Sequence, residues 1–181
     1  GVCMERSEAA YGPIRVLGVG NVLTSDDGVG PYTVAVLKAK WEFPDEVSVV
    51  DVGTPGLDFT PYLTDAELVV VVDAVRSGGD PGTVRVWRDD ELLEAPPVAR
   101  TNPHEPGLRE ALMATEFEDR RPQHVVLVGV VPRSLETGTR LSETVRSAVD
   151  PAAETVIAEL ARAGMVVARR EPPARPEIWW E

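Results

Sequence analysis

The chain has 181 residues, 43% of them hydrophobic and 27% charged, and a formal net charge of −12. That length suits one well-packed core and is short for two. The acidic balance argues against a phosphate-tracking nucleic-acid binder and an anionic membrane surface, and favours a cationic ligand or a basic partner segment. Cys3 is the only cysteine, which excludes an internal disulfide and thiolate metal sites and fits a reducing cytoplasm. The longest apolar run, Val125–Val131, falls far short of the ~20 residues of a membrane-spanning helix.

Residues 1–12 carry Glu5, Arg6 and Glu8 without an apolar stretch, the pattern of a loose N-terminal extension rather than a leader. Residues 13–170 read as a single α/β domain. Ile14–Val19 is a short buried strand, followed by the loop Gly20–Ser25. A helix is expected from about Asp26 to Lys40, with Val29, Thr33, Val36 and Leu37 on one stripe. Ser25 or Asp26 can cap it, and Pro31 falls in the first turn, where backbone N–H groups lack partners anyway. Val47–Asp51 is the second strand, and residues 54–65 form a crossover with a short helix disturbed by Pro61.

Leu68–Asp73 is the clearest strand, four valines in a row ending in an acid, as suits a central strand covered on both faces. The turn-forming stretch from Ser77 to Gly82 leads to a fourth strand, Thr83–Arg88. That connection is too short for a helical crossover, so the strand is expected to run antiparallel to the third. Residues 89–105 form a loop rich in acids and prolines. Pro106 opens a helix whose apolar face is Leu108, Leu112 and Met113, to about Thr115. Val125–Val131 is the fifth strand. Leu141–Gly164 is helical with a break expected near Pro151, and the tail 171–181, with Pro172, Pro173 and Pro176, reads as extended or disordered. The expected fold is a three-layer α/β/α sandwich with a mixed, mostly parallel five-stranded sheet.

Asp27, Asp51 and Asp73 fall just after the first three strands. In a parallel sheet those ends open onto one crevice, where three acids repel one another unless protons or a cation intervene. Each has a structural reading beside the functional one. Asp26 and Asp27 suit a helix start, although one acid suffices for a cap and leaves the second for a ligand. Asp51 is a strand-end turn former before Gly53. Asp73 ends so apolar a strand that burial without a partner is costly. His104 sits between Pro103 and Glu105-Pro106; beside two carboxylates it completes an O,O,N set that suits nickel or zinc better than magnesium and leaves coordination positions open. His124 has no acidic neighbour in sequence and reads as structural. Trp179 and Trp180 are either a sticky contact or packed back onto the body.

Gly18-Val19-Gly20-Asn21 after a strand and before a helix also resembles the opening of a dinucleotide-binding unit, with Asp51 as a ribose-binding acid. Leu23 occupies the third glycine position, however, and Asp26 and Asp27 stand where a pyrophosphate would sit. A nucleotide-binding module is therefore the competing reading. No Gly-x-Ser-x-Gly elbow, His-Glu-x-x-His helix or Walker phosphate loop is present.

Taken in order, the motifs resemble those of the hydrogenase maturation endopeptidases: Gly18-Val19-Gly20-Asn21-Val22-Leu23 with Asp26-Asp27-Gly28-Val29-Gly30, then Asp51-Val52-Gly53-Thr54-Pro55-Gly56, Val72-Asp73-Ala74, Pro103-His104 with Gly107-Leu108, and Leu127-Val128-Gly129-Val130. The resemblance runs from about Ile14 to Gly164. It implies an endopeptidase that removes a short C-terminal extension from the nickel-loaded large-subunit precursor of a nickel–iron hydrogenase. It also implies metal contacts at Asp27, Asp73 and His104, with nickel supplied by the substrate and zinc able to substitute. Water polarised at the metal would attack the scissile bond, with Asp51 as supporting or general-base carboxylate. A metal-independent pair of carboxylates, as in the spore germination proteases, is the alternative within the same enzyme class. No apolar element is left over for an interface, so a cytoplasmic monomer is expected, with neither nucleic-acid nor membrane partners.

Overall fold

A computed structural model describes residues 11–54, 59–94 and 107–181. In chain order its elements are β1 (Ile14–Val19), a 3₁₀ turn (Ser25–Gly28), α1 (Val29–Lys40), β2 (Trp41–Glu42), β3 (Val47–Gly53), α2 (Thr60–Leu63) and β4 (Leu68–Ala74). They continue with β5 (Val84–Arg88), α3 (Asp90–Glu94), α4 (Leu108–Phe117), β6 (His124–Val130), α5 (Glu143–Arg162) and β7 (Ala168–Arg169).

Largely apolar runs make the central strands: β1, whose single charged residue Arg15 is buried with the rest, and β4 are buried at every position, as strands covered on both faces must be. The sheet order is β3-β1-β4-β6-β5, with all pairings parallel except β5 with β6. Side chains alternate across it. Val16, Val70, Val72, Val126 and Val128 pack in one core with residues of α1 and α5. Leu17, Val19, Val69, Val71 and Leu127 pack in the other with Leu63 of α2 and Leu112 of α4. Each fully buried Val or Leu contributes about 1.5–3 kcal/mol, so the two faces together hold the three layers. The chain is the expected mixed, mostly parallel five-stranded α/β/α sandwich.

Three local expectations change. The strand at Val84–Arg88 does run antiparallel to β4, but its ladder partner is β6, because β6 already occupies the free edge of β4. Gly129 admits this edge strand: a Cβ there would lie 2.6 Å from the Trp87 ring. Second, α5 is continuous through Pro151. The proline is exposed, as is Ser147, whose carbonyl loses its intrahelical partner, so water can satisfy it. Burial of Ala148, Val149, Ala152, Ala153 and Val156 on the inner face outweighs the ~3 kcal/mol cost of an interior proline. Third, the helix over residues 26–40 begins as the separate 3₁₀ turn, and no side chain caps α1.

Asp26 does something else. It is fully buried. Its Oδ1 accepts the Ser142 N–H at 2.7 Å, and its Oδ2 accepts the N–H groups of Arg133 and Ser134 and the Ser142 hydroxyl, each at 2.9 Å. Ser142 is in turn the N-cap of α5. One carboxylate therefore fastens the 3₁₀ turn to the loop after β6 and to the start of α5.

The tail is extended, as its prolines suggest, and it is also docked. β7 pairs with β2, and the N–H groups of Arg170 and Ala174 donate to the carbonyls of Lys40 and Ala39, both at 2.8 Å. Trp180 is 8% exposed and lies edge-on to Tyr32, whereas Trp179 is 77% exposed.

Two stability outcomes follow. Asp26→Ala should cost about 3–5 kcal/mol, since it strands three buried N–H groups, while Asp27→Ala should stay within about 1 kcal/mol. Urea unfolding of both variants checks this; equal losses would contradict the division of labour. Trp180→Ala should cost about 3–5 kcal/mol and Trp179→Ala under about 0.5, read from the same curves.

Candidate active site at the strand ends

The crevice is shaped by close backbone approach, and glycine makes the approach possible. Gly20 has φ +146°, and a Cβ there would sit 1.8 Å from the Asp27 carbonyl oxygen. A Cβ on Gly30 would lie 2.4 Å from the carbonyl oxygens of both Val19 and Val72. Any larger residue at either place would drive the 3₁₀ turn and the start of α1 off the ends of β1 and β4. The glycine spacing that resembles a phosphate-binding loop thus serves to seat a helix start on two strand ends.

The loop is not organised to hold a phosphate. The N–H groups of Asn21, Leu23, Thr24, Ser25, Asp26 and Asp27 are all engaged within the protein, so a cradle of outward donors, which pyrophosphate requires, is missing among them. The nucleotide-binding reading loses its structural basis here.

Asp73 and Asp27 stand on the two elements that meet at this seat. Asp73 is buried near the end of β4, opposite Gly129, and its Oδ1 accepts the Ala74 N–H at 2.8 Å. Asp27 is partly buried in the 3₁₀ turn, which contacts β4, and its Oδ2 accepts the Asn21 N–H at 2.9 Å. β1 and β4 are neighbours from which the chain leaves in opposite directions, toward β3 and toward β6. That is the topological switch point where open α/β sheets bind ligands.

Asp51 does not join the pair. Its register partner is Gly18, which in turn faces Val72, so by alternation it lies on the α1 side of the sheet while Asp73 lies on the other. β1 also separates the two strands. Asp51 is exposed, its Oδ1 accepts the Gly53 N–H at 2.9 Å, and it lines a cleft of about 490 Å³ with Val34, Lys38 and Trp179. The expected general base therefore stands apart from Asp73. His104 lies outside the described residues. Among those described, no group of three or more His, Cys, Asp or Glu side chains could hold a metal ion. His124, at the opposite end of the sheet, meets Asp89 at 3.2 Å, an acidic neighbour 35 residues away that sequence adjacency could not reveal.

The sequence reading also missed two arginines at the same rim: Arg76, three residues beyond Asp73, and Arg133, whose N–H is held by Asp26. No motif marks them; only the pairing of β4 with β6 places them together.

The family described as hydrogenase maturation protease matches residues 31–159. The hydrogenase expression/formation protein HoxM of Azotobacter vinelandii is 36% identical over 162 residues, covering 89% of this chain and 78% of that protein. The hydrogenase 2 maturation protease of Escherichia coli (strain K12) is also 36% identical over 162 residues, covering 87% and 96%. The solved structure of the hydrogenase maturating endopeptidase HybD from E. coli superposes with a TM-score of 0.80 at 34% identity, over 88% of this chain and 98% of that one. With the switch-point carboxylates in place and agreement across nearly the whole described sheet, this chain belongs to the hydrogenase maturation protease family.

Proposed function

We propose that this protein is the endopeptidase that cuts the C-terminal extension from a nickel-loaded large-subunit precursor of a nickel–iron hydrogenase. The observation that carries the reading is the glycine-seated packing of the 3₁₀ turn, which carries Asp27, against the end of β4, which carries Asp73, at the switch point. Two carboxylates make an incomplete ligand set. His104, on the segment before α4, is our third contact, and the precursor brings the nickel as its own cargo, with zinc able to stand in. An O,O,N set leaves positions open for the groups that already hold the metal in the precursor and for a water.

In this mechanism Asp27 and Asp73 grip the precursor at its metal and so align the scissile bond over the rim. Water polarised there adds to the peptide carbonyl, the C–N bond breaks, and the departing amine takes up the proton. Asp51 faces α1 and has no direct part in that step. The protein acts as a monomer in the cytoplasm, a reading supported by its single cysteine, Cys3. No helix among the described residues is long and apolar enough to cross a membrane.

Asp73→Asn, Asp27→Asn and His104→Ala should each slow cleavage by on the order of 10²–10³-fold without loss of fold, as measured by mass spectrometry of nickel-loaded precursor. Precursor prepared without nickel should remain uncut. Wild-type rates in the variants would sink the assignment, and equal cleavage of nickel-free precursor in the presence of chelator would favour the metal-independent carboxylate mechanism.

A further inference from the structure

A second cleft opens on the same rim, between the segments that follow β4 and β6. Arg76 and Ser77, just past the end of β4, line it together with Val131, Arg133 and Leu135 from the segment after β6, and its volume is about 340 Å³. The two segments are tied where they leave the sheet: the Val75 N–H donates to the Val130 carbonyl at 2.9 Å. The cleft is therefore a rigid continuation of the strand ends. Three residues separate Arg76 from Asp73, so their Cα atoms lie at most about 11 Å apart. Arg133 is joined to the candidate site still more directly, since its N–H is held by Asp26, the neighbour of Asp27.

The charge of this cleft is opposite to that of the protein. The chain carries −12 overall, yet among the described residues the ionisable groups lining the cleft are the two arginines. Among the described residues neither is in an ion pair. Arg133 Nη1 donates to the Thr144 hydroxyl at 3.2 Å, which fixes the guanidinium without neutralising it. Arg85 Nη1 donates to the Ser77 carbonyl at 3.1 Å and anchors the other wall. Among the described residues the buried Ser77 hydroxyl has no hydrogen-bond partner. Forked guanidinium donors beside a hydroxyl are the chemistry that recognises a carboxylate.

We propose that this cleft binds a carboxylate of the precursor's C-terminal extension, with Arg76 and Arg133 as its cationic walls and Ser77 as a further donor. The inference rests on the peptidase reading and adds a specificity device to it. The carboxylate is either an acidic side chain of the extension or its terminal carboxyl group; both present the same chemistry.

Three synthetic peptides of the extension from a precursor that the protein cleaves separate these sources: the native peptide, one with its acidic side chains replaced by amides, and one amidated at the C-terminus. Fluorescence anisotropy with the wild-type protein should show one replacement weakening binding by roughly 10- to 100-fold, the span of charge-assisted hydrogen bonds. The Arg76→Ala/Arg133→Ala variant should bind the native peptide as weakly and no longer distinguish the three. On intact nickel-loaded precursor it should raise KM about tenfold and leave kcat within about twofold, since the cleft holds the extension in ground and transition state alike. Arg76→Glu, a change at an exposed position, should weaken binding further while the melting temperature holds. Equal binding of all three peptides by the wild type, or wild-type binding by the double variant, would overturn the carboxylate cleft. Failure of the wild type to cut any nickel-loaded precursor would instead remove the peptidase reading, whatever the peptides show.

Discussion

The crevice of this protein depends on one buried carboxylate. Taking Asp26 out of water costs several kcal/mol, and among the described residues no cation is paired with it to offset that cost. Three backbone N–H groups and a hydroxyl do so instead, each bond strengthened by the charge and by the low local dielectric. The bonds come from two places far along the chain, the loop after β6 and the cap of α5. They add to the backbone bonds from Ser25 and Asp26 to the carbonyls of Gly138 and Ser134, and together these hold the 3₁₀ turn against the segment after β6. Because Asp27 is the next residue, its placement is set by a neighbour that never touches a ligand.

Glycine supplies the complementary constraint from below. Asp26 holds the turn sideways, while Gly20 and Gly30 decide how deeply it sinks onto β1 and β4. The two devices act at right angles, and each is useless alone. A clamped turn held one side chain higher would separate Asp27 from Asp73, and a sunken turn without the clamp would slide along the strand ends. The packing of the turn that carries Asp27 against the strand that carries Asp73 is thus enforced by contacts that are individually ordinary.

Much of this was legible in the sequence. Apolar runs announce β1, interrupted by Arg15, and β4 and β6, as suits strands buried on both faces, and Asp73 follows directly on the valines of β4. What sequence spacing could not supply was register. Whether Asp51 faces Asp73 turns on the parity of its pairing with Gly18, and a slip of one residue reverses the answer. Asp26 and Asp27 are likewise indistinguishable as adjacent acids until the loop 133–142 chooses between them. The unbroken α5 and the docked tail belong to the same class: local rules for proline were overridden by the burial of residues on the opposite face.

In the proposed arrangement two carboxylates, Asp27 and Asp73, and a neighbouring cleft lined by two arginines give the rim a direction. A precursor that presents a metal centre and an anionic extension can lie across it only one way, since reversal would set like charges against each other at both ends. Neither half is complete by itself. In the proposed mechanism an incomplete set of ligands does not retain a metal as a full cage would and responds to a metal that the precursor already holds. A cationic cleft reads only one charge and ignores most of the extension's sequence. Recognition in this arrangement comes from the spacing between the two halves, and that spacing is the width which the buried Asp26 maintains.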